Sequence, residues 1–317
     1  MKRWILGMRD AFFTALFEIA KNDKKVILLT SDTGAICHDR FRKELKNQYI
    51  NVGIAEQNMI GVAAGLAMTG KNVYVYAIVP FVTMRCYEQI RVDLCCMNLT
   101  VTVIGIGAGF DYSTLGPTHH GVEDISIMRN LPDIKIYSPA DSLAAKKIAN
   151  ITYKERGPKY VRLDRVGFPL VYKNNNKNNF TEGFNIIKKG KQGYIIATGR
   201  MVHTALKVVQ KLSKYGIEMG IIDLFKIEPL DNDKFLESIV TVKYIVTVEE
   251  HFIFGGIGSI VGELLINNRD NIVFKKIGIL NGFCREYGTR EYLHRLNKID
   301  DDSITESIKK WIKNKKQ

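Results

Sequence analysis

A chain of 317 residues with 46% hydrophobic and 25% charged residues is long enough for two domains and has the balance of a globular protein. Its net charge of +13 comes from 46 Lys+Arg against 33 Asp+Glu, much of it in Lys/Asn-rich stretches such as YKNNNKNN and KKWIKNKKQ; with no basic helix interleaved with aromatics, it argues for a solvated surface that steers anionic metabolites and against nucleic acid. No apolar run reaches the roughly 18–20 residues of a membrane span, and five irregularly spaced cysteines (Cys37, Cys86, Cys95, Cys96, Cys284) form no disulfide framework and point to reduced thiols in a cytoplasm.

The start, MKRWILGMRDAFFTALFEIAKNDKK, is interrupted by Arg9, Asp10 and Glu18. It reads as an amphipathic helix packing Phe12, Ala15, Leu16 and Ile19, not as a leader. KVILLTSD is a buried strand ending in the loop Ser31-Asp32-Thr33-Gly34. GIAEQNMIGVAAGLA follows, helical from Ile54, with Met59, Ile60, Ala63, Leu66 and Ala67 at spacings of three and four. Glu56 lies on that apolar stripe. A first-turn acid gains about 0.3–1 kcal/mol from the helix dipole. A poorly solvated carboxyl can also share a proton with a bound ring nitrogen, and the helix alone leaves both readings open. Gly61 and Gly65 make a bare face where another backbone can come close.

NVYVYAIVP is a second strand and TMRCYEQIRVDLCCM a second helix. Between them Phe81, followed by Arg85, Tyr87 and Arg91, is either core or a ring that stacks on a flat ligand. LTVTVIGIGAG is a third strand running into the loop FDYSTLGPTHHG. Its Gly116-Pro117-Thr118 turn carries His119 and His120, whose side chains diverge and lack a completing ligand set, which favours acid–base, substrate or surface roles over a metal. VEDISIMRNLP is a helix, IKIYSPAD a strand, Ser142 opens a helix, and KYVRLDR is a strand. The last ends in Arg162 and Arg165, suited to a phosphate or carboxylate, or to an ion pair with Asp164 or another acid.

FPLVYKNNNKNNFTEG breaks the alternation, and residues 171–182 read as a linker. GYIIATG, MVHTALKVVQKLSKYG and IEMGIIDL then repeat the strand–helix–strand theme, as do KYIVTVEE, IGSIVGELLIN and FKKIGI. Gly255-Gly256-Ile257-Gly258 has neither a dinucleotide fingerprint's spacing nor a P-loop lysine, and reads as close helix–strand packing. The pattern predicts an α/β chain of two domains, residues 1–170 and 183–317, each a mainly parallel sheet flanked by helices. Ligands gather at the carboxyl ends of strands in such sheets.

In this order, GIAEQNMIGVAAGLA, GPTHHGVEDISIMRNLP, YSPAD, ATGRMV, IVTVEEH and GGIGS resemble the carboxyl-terminal part of a transketolase encoded as two subunits, over roughly residues 8–315. The likeness extends more loosely to 1-deoxy-xylulose-phosphate synthases and to the β subunits of 2-oxo-acid dehydrogenases. It implies that residues 1–170 bind the aminopyrimidine of thiamine diphosphate, that residues 183–317 form the family's C-terminal domain, and that a two-carbon ketol unit is transferred between sugars. The family's catalytic glutamate falls on Glu56, which in an apolar surrounding would hydrogen-bond the pyrimidine N1′ and favour its imino tautomer. The ring-stacking aromatic falls on or beside Phe81, with Ile54, Arg85 and Tyr87 as further cofactor contacts. The GPTH histidine, His119, would face the substrate as a catalytic group, with Arg165 on a phosphate and Asp32 as another substrate contact.

Two departures carry consequences. Leu115 stands where the family's GEDG acid contacts a sugar hydroxyl, and Gly107 where many members place another histidine, which points to a modified sugar or another 2-oxo compound. The chain also lacks the GDG…N segment that binds diphosphate and Mg²⁺. The resemblance therefore implies a separate amino-terminal subunit holding both, in an α2β2 assembly. A 2-oxo-acid decarboxylase β subunit is disfavoured by GPTHHG. A binding or regulatory protein that kept only the fold is disfavoured by Glu56, Phe81 and His119 together.

Overall fold

The computed structural model describes residues 7–172, 180–268, 271–280 and 282–315. In chain order the first strands are β1 (Val26–Thr30), β2 (Tyr49–Asn51), β3 (Asn72–Ile78), β4 (Val101–Ile106), β5 (Lys135–Tyr137) and β6 (Lys159–Leu163). After them come β7 (Phe184–Lys188), β8 (Gly193–Ala197), β9 (Met219–Leu224), β10 (Lys226–Glu228), β11 (Tyr244–Phe252) and β12 (Val273–Ile279). They form a seven-stranded sheet, β10-β5-β6-β4-β3-β1-β2, and a five-stranded sheet, β12-β11-β8-β9-β7. Within them only β10 on β5 and β7 on β9 pair antiparallel. This is the two-sheet α/β fold the alternation implies.

The central strands are apolar without interruption because helices cover both faces. β3 illustrates this. Val73, Val75 and Ala77 share a core with Met59, Ile60 and Ala63 of the Glu56–Met68 helix. Tyr74 and Tyr76 turn the other way, into the core of Phe12, Phe13 and Leu16 from the Met8–Asn22 helix. The first of these cores continues into the second sheet through Phe184, Ile196, Ile222 and Ile245.

Several elements depart from the sequence reading. The helix expected over TMRCYEQIRVDLCCM is not continuous: a turn of helix at Val79–Val82 precedes it, and within it come a turn at Tyr87–Gln89 and a π-helix over Ile90–Cys96. At the first break Thr83 Oγ1 donates to Val79 O at 2.7 Å, beside the backbone bond from Thr83 N, and Cys86 Sγ donates to Phe81 O at 3.2 Å. Most of the linker, residues 173–179, lies outside the described residues. Its first residues are anchored: Asp141 Oδ2 accepts from Val171 N at 2.7 Å and Tyr172 N at 2.9 Å, and Tyr172 is buried. The basic tail is not simply a solvated stretch. It ends a helix over Asp301–Asn314 that buries Ile304, Ile308 and Ile312. The short strands β2, β7 and β10 give no alternation long enough to read. No helix among the described residues is long and apolar enough to cross a membrane.

Candidate active site

The strand ends of the first sheet converge on Glu56. At the end of β2, Asn51 Oδ1 accepts from Asp32 N at 3.1 Å and Gly53 N at 3.0 Å, and its Nδ2 donates to Asp32 Oδ1 at 2.9 Å. Gly53, at φ +76°, then turns the chain into the helix that Glu56 opens. The Glu56 carboxylate is only 4% exposed. Its surroundings are not wholly apolar, as the sequence suggested: Arg85 Nη1 donates to its Oε2 at 2.8 Å. Arg85 reaches there because the broken helix turns it back, and Gln57 Nε2 holds its carbonyl at 3.1 Å.

From this pair a row of rings and cations runs across the strand ends. Arg85 Cζ stands 4.4 Å from the Phe81 ring centroid. Phe81 meets His119 edge-on at 5.1 Å, and His119 lies 6.0 Å from the Tyr112 ring. Arg165 Cζ covers Tyr112 at 4.1 Å. Phe81 follows β3, Tyr112 and His119 follow β4, and Arg165 follows β6. Three of the residues singled out from the sequence, Arg85, Phe81 and His119, are therefore neighbours of Glu56 or of one another, and Arg165 joins the row through Tyr112.

The two histidines separate into different roles. The loop after β4 is closed by reciprocal bonds between Gly109 and Gly121 at 2.8 and 2.9 Å. Gly116, at φ +77°, makes the turn, and its carbonyl accepts from His119 N at 3.0 Å. His119 Nδ1 lies 2.9 Å from Thr118 Oγ1, leaving Nε2 for a ligand. Burial lowers its pKa, so the ring is neutral at pH 7. His120 is buried against Phe110 at 4.9 Å, and burial pushes it down to about 4. Leu115, on the same loop, is 47% exposed.

Other candidates fall differently. Ile54 is exposed, two residues before Glu56. The Tyr87 hydroxyl donates to Ile127 O at 3.0 Å, so only its ring is left for a ligand. Asp32 is exposed, with its bonds directed to Asn51 and not to the row. Arg162 does not serve as an anion receptor. It is buried, with Nε and Nη2 on Asp124 at 2.7 and 3.1 Å. Arg165 has an acid partner too, but it is Asp111: its N, Nε and Nη2 reach Asp111 at 2.8, 3.3 and 2.8 Å. Its side chain stays 39% exposed. The glycine cluster is packing, as expected. A Cβ on Gly256 would fall 1.9 Å from Glu249 Oε2, and Glu249 itself accepts from Ile257 N and Gly258 N at 2.8 and 3.0 Å.

Sequence reasoning missed Tyr112, Asp111 and Arg290. The first two sit in FDYSTLG, read only as the approach to GPTHHG. Arg290 lies far along the chain, in GTREYLHRL, yet its Nη2 donates to Ala108 O at 3.0 Å and its Nε to Glu250 Oε1 at 2.9 Å. It also pairs with Asp164 and reaches Asp111 at 3.5 Å. A buried carboxyl and a half-buried phenyl ring, both in contact with Arg85, suit an aminopyrimidine: an acid for a ring nitrogen and an apolar ring for the ligand's flat face. Among the described residues no three His, Cys, Asp or Glu side chains are grouped to hold a metal.

Comparison with known proteins matches both halves of the chain. Residues 6–169 match the family described as "Transketolase, pyrimidine binding domain" and residues 183–304 "Transketolase, C-terminal domain". An apulose-4-phosphate transketolase subunit of Actinobacillus succinogenes is 34% identical over 267 residues, 84% of this chain and 85% of the relative. A 6-deoxy-6-sulfo-D-fructose transketolase subunit of Clostridium sp. (strain MSTE9) is 32% identical over 288 residues, 90% of this chain and 88% of the relative. The solved structure of a split-gene transketolase, an inactive β4 tetramer, superposes with a TM-score of 0.85 at 30% identity, covering 96% of this chain and 97% of the other. With its pyrimidine-binding and C-terminal regions both matched, the chain belongs to the transketolase family.

Proposed function

We propose that this chain is the carboxyl-terminal subunit of a two-subunit, thiamine-diphosphate-dependent transketolase that moves a two-carbon ketol unit between sugars in the cytoplasm. Residues 1–170 are the pyrimidine-binding part and residues 183–317 the C-terminal part. The observation that carries the reading is the buried Glu56 carboxylate, held by Arg85 at 2.8 Å beside the Phe81 ring. When bound, the cofactor supplies the carbanion-stabilising chemistry. Glu56 is the hydrogen-bonding partner of the pyrimidine nitrogen, Phe81, Ile54 and Tyr87 bound the ring, and Arg85 keeps the Glu56 carboxyl in place. His119, neutral and with Nε2 available, exchanges a proton or hydrogen bond with a substrate oxygen. Arg165 and Asp32 contact the substrate, Arg165 at its anionic end.

An amino-terminal subunit supplies the diphosphate and Mg²⁺ site in an α2β2 enzyme. One structural relative is an inactive β4 tetramer, which supports the inactivity of a carboxyl-terminal subunit by itself. Calorimetry with thiamine diphosphate and Mg²⁺ tests this division. The purified chain binds weakly, and adding the amino-terminal subunit creates tight binding. Micromolar affinity in the isolated chain would contradict the division.

A further inference from the structure

Gly107 follows β4 with φ +94°, and the space beside it is taken: a Cβ there would lie 2.3 Å from Cδ2 and Cε2 of Tyr112. The partly buried Tyr112 ring thus occupies the place of a side chain at position 107. Arg165 Cζ is 4.1 Å from the centroid of the same ring, and the His119 ring is 6.0 Å from it. Asp111 engages Nε and Nη2 of Arg165. Nη1 has no partner among the described residues, so the guanidinium offers one open edge, with one face covered by Tyr112. Burial raises the Tyr112 phenol, with Arg165 and Arg9 pulling it back, so it remains a neutral donor at pH 7.

We propose that Tyr112 is a specificity-determining residue: it is the wall between His119 and Arg165 that fixes how far an anionic end group can sit from the reacting carbon. The inference rests on the ketol-transfer reading and names the substrate class within it. Because His119 and Arg165 flank one ring, an end group on the Nη1 edge is separated from atoms at His119 by little more than that ring. The pocket therefore selects sugars with a short carbon chain between carbonyl and anionic end, and disfavours chain-extended ones.

Two measurements test this. The first needs only the chain: phenylglyoxal labelling of Arg165, followed by peptide mass spectrometry in wild type, Tyr112→Phe and Tyr112→Ala. The ring shields Arg165, so Tyr112→Ala labels severalfold faster, while Tyr112→Phe labels like wild type. Equal rates in all three overturn the proposal. The second uses the assembled enzyme with hydroxypyruvate as donor and aldose acceptors of three to six carbons, each with and without a terminal phosphate. Tyr112→Ala raises kcat/KM for the longest phosphorylated acceptor relative to the shortest by about tenfold, mainly through KM, as removal of a pocket wall does. Tyr112→Phe keeps the wild-type ratio. An unchanged ratio in Tyr112→Ala overturns the proposal. Absent turnover of hydroxypyruvate in wild type counts against the ketol-transfer reading instead, and the labelling then decides alone: equal rates still overturn the assignment of Tyr112.

Discussion

At the residue scale, Glu56 was legible because an acid on an apolar helical stripe is conspicuous. Its partner was not. Arg85 lies 29 positions away, and it is brought back by the interruption between Val82 and Tyr87, which leaves no periodicity to detect. Arg162 and Arg165 show the limit from the other side, since both ended the same strand segment and only burial separates a structural arginine from an accessible one. Leu115 carries a prediction at this scale. Its side chain is apolar and exposed, and on the resemblance it replaces an acid that accepts a sugar hydroxyl; a hydroxyl left without a partner on binding costs about 1–3 kcal/mol. Leu115→Asp in the assembled enzyme should raise kcat/KM for xylulose 5-phosphate about ten- to hundredfold, by the same margin. Ordinary use of that sugar by wild type, with no gain in the variant, would count against this reading of the loop. Arg165→Ala should raise KM for an anionic substrate more than for its neutral analogue, since Nη1 is what an anion meets.

At the element scale, long two-sided strands and amphipathic helices were read correctly, because burial on both faces and a 3.6-residue stripe leave clear patterns. Short edge strands and the π-helix were not, because their geometry is set by tertiary contacts. Arg290 is the sharpest example. It opens the Arg290–Leu296 helix, and its guanidinium ties Glu250 on β11, Asp164 after β6 and Ala108 after β4. Burial pushes Asp164 up to about 6 even with Arg290 beside it. Removing the cation leaves buried acids unmatched, at about 3–5 kcal/mol. Arg290→Met should therefore lower the urea midpoint by that equivalent with an unchanged m-value. Loss of under about 1 kcal/mol would mean that water or other cations replace the guanidinium.

At the scale of the whole molecule, the chain builds two sheets. They are more entangled than a linker suggests, because β10 from the second half pairs with β5 of the first sheet, Lys226 opposite Tyr137. Tyr172, at the start of the linker, donates to Asp223 on β9. Burial pushes Asp223 up to about 8. A carboxyl raised in the folded state stabilises the fold while it stays protonated, fully below its unfolded pKa, and that stability is lost as pH rises through about 8. Lys159, which burial lowers to about 7, acts in the opposite direction over alkaline pH. Comparison with Asp223→Asn, which keeps an acceptor for Tyr172, isolates the first effect. Between pH 6 and 9 the wild-type Tm should fall relative to the variant's, and parallel curves would mean that Asp223 does not titrate there.

The account as a whole depends on Glu56 handling a proton of the cofactor. Its most direct test is exchange of the thiazolium C2 hydrogen for deuterium in the assembled enzyme, wild type against Glu56→Gln. The variant keeps the side-chain shape and should still bind thiamine diphosphate, while exchange slows by about 10²–10⁴-fold, the usual contribution of one positioned acid–base group. Wild-type exchange rates in Glu56→Gln would contradict the central claim.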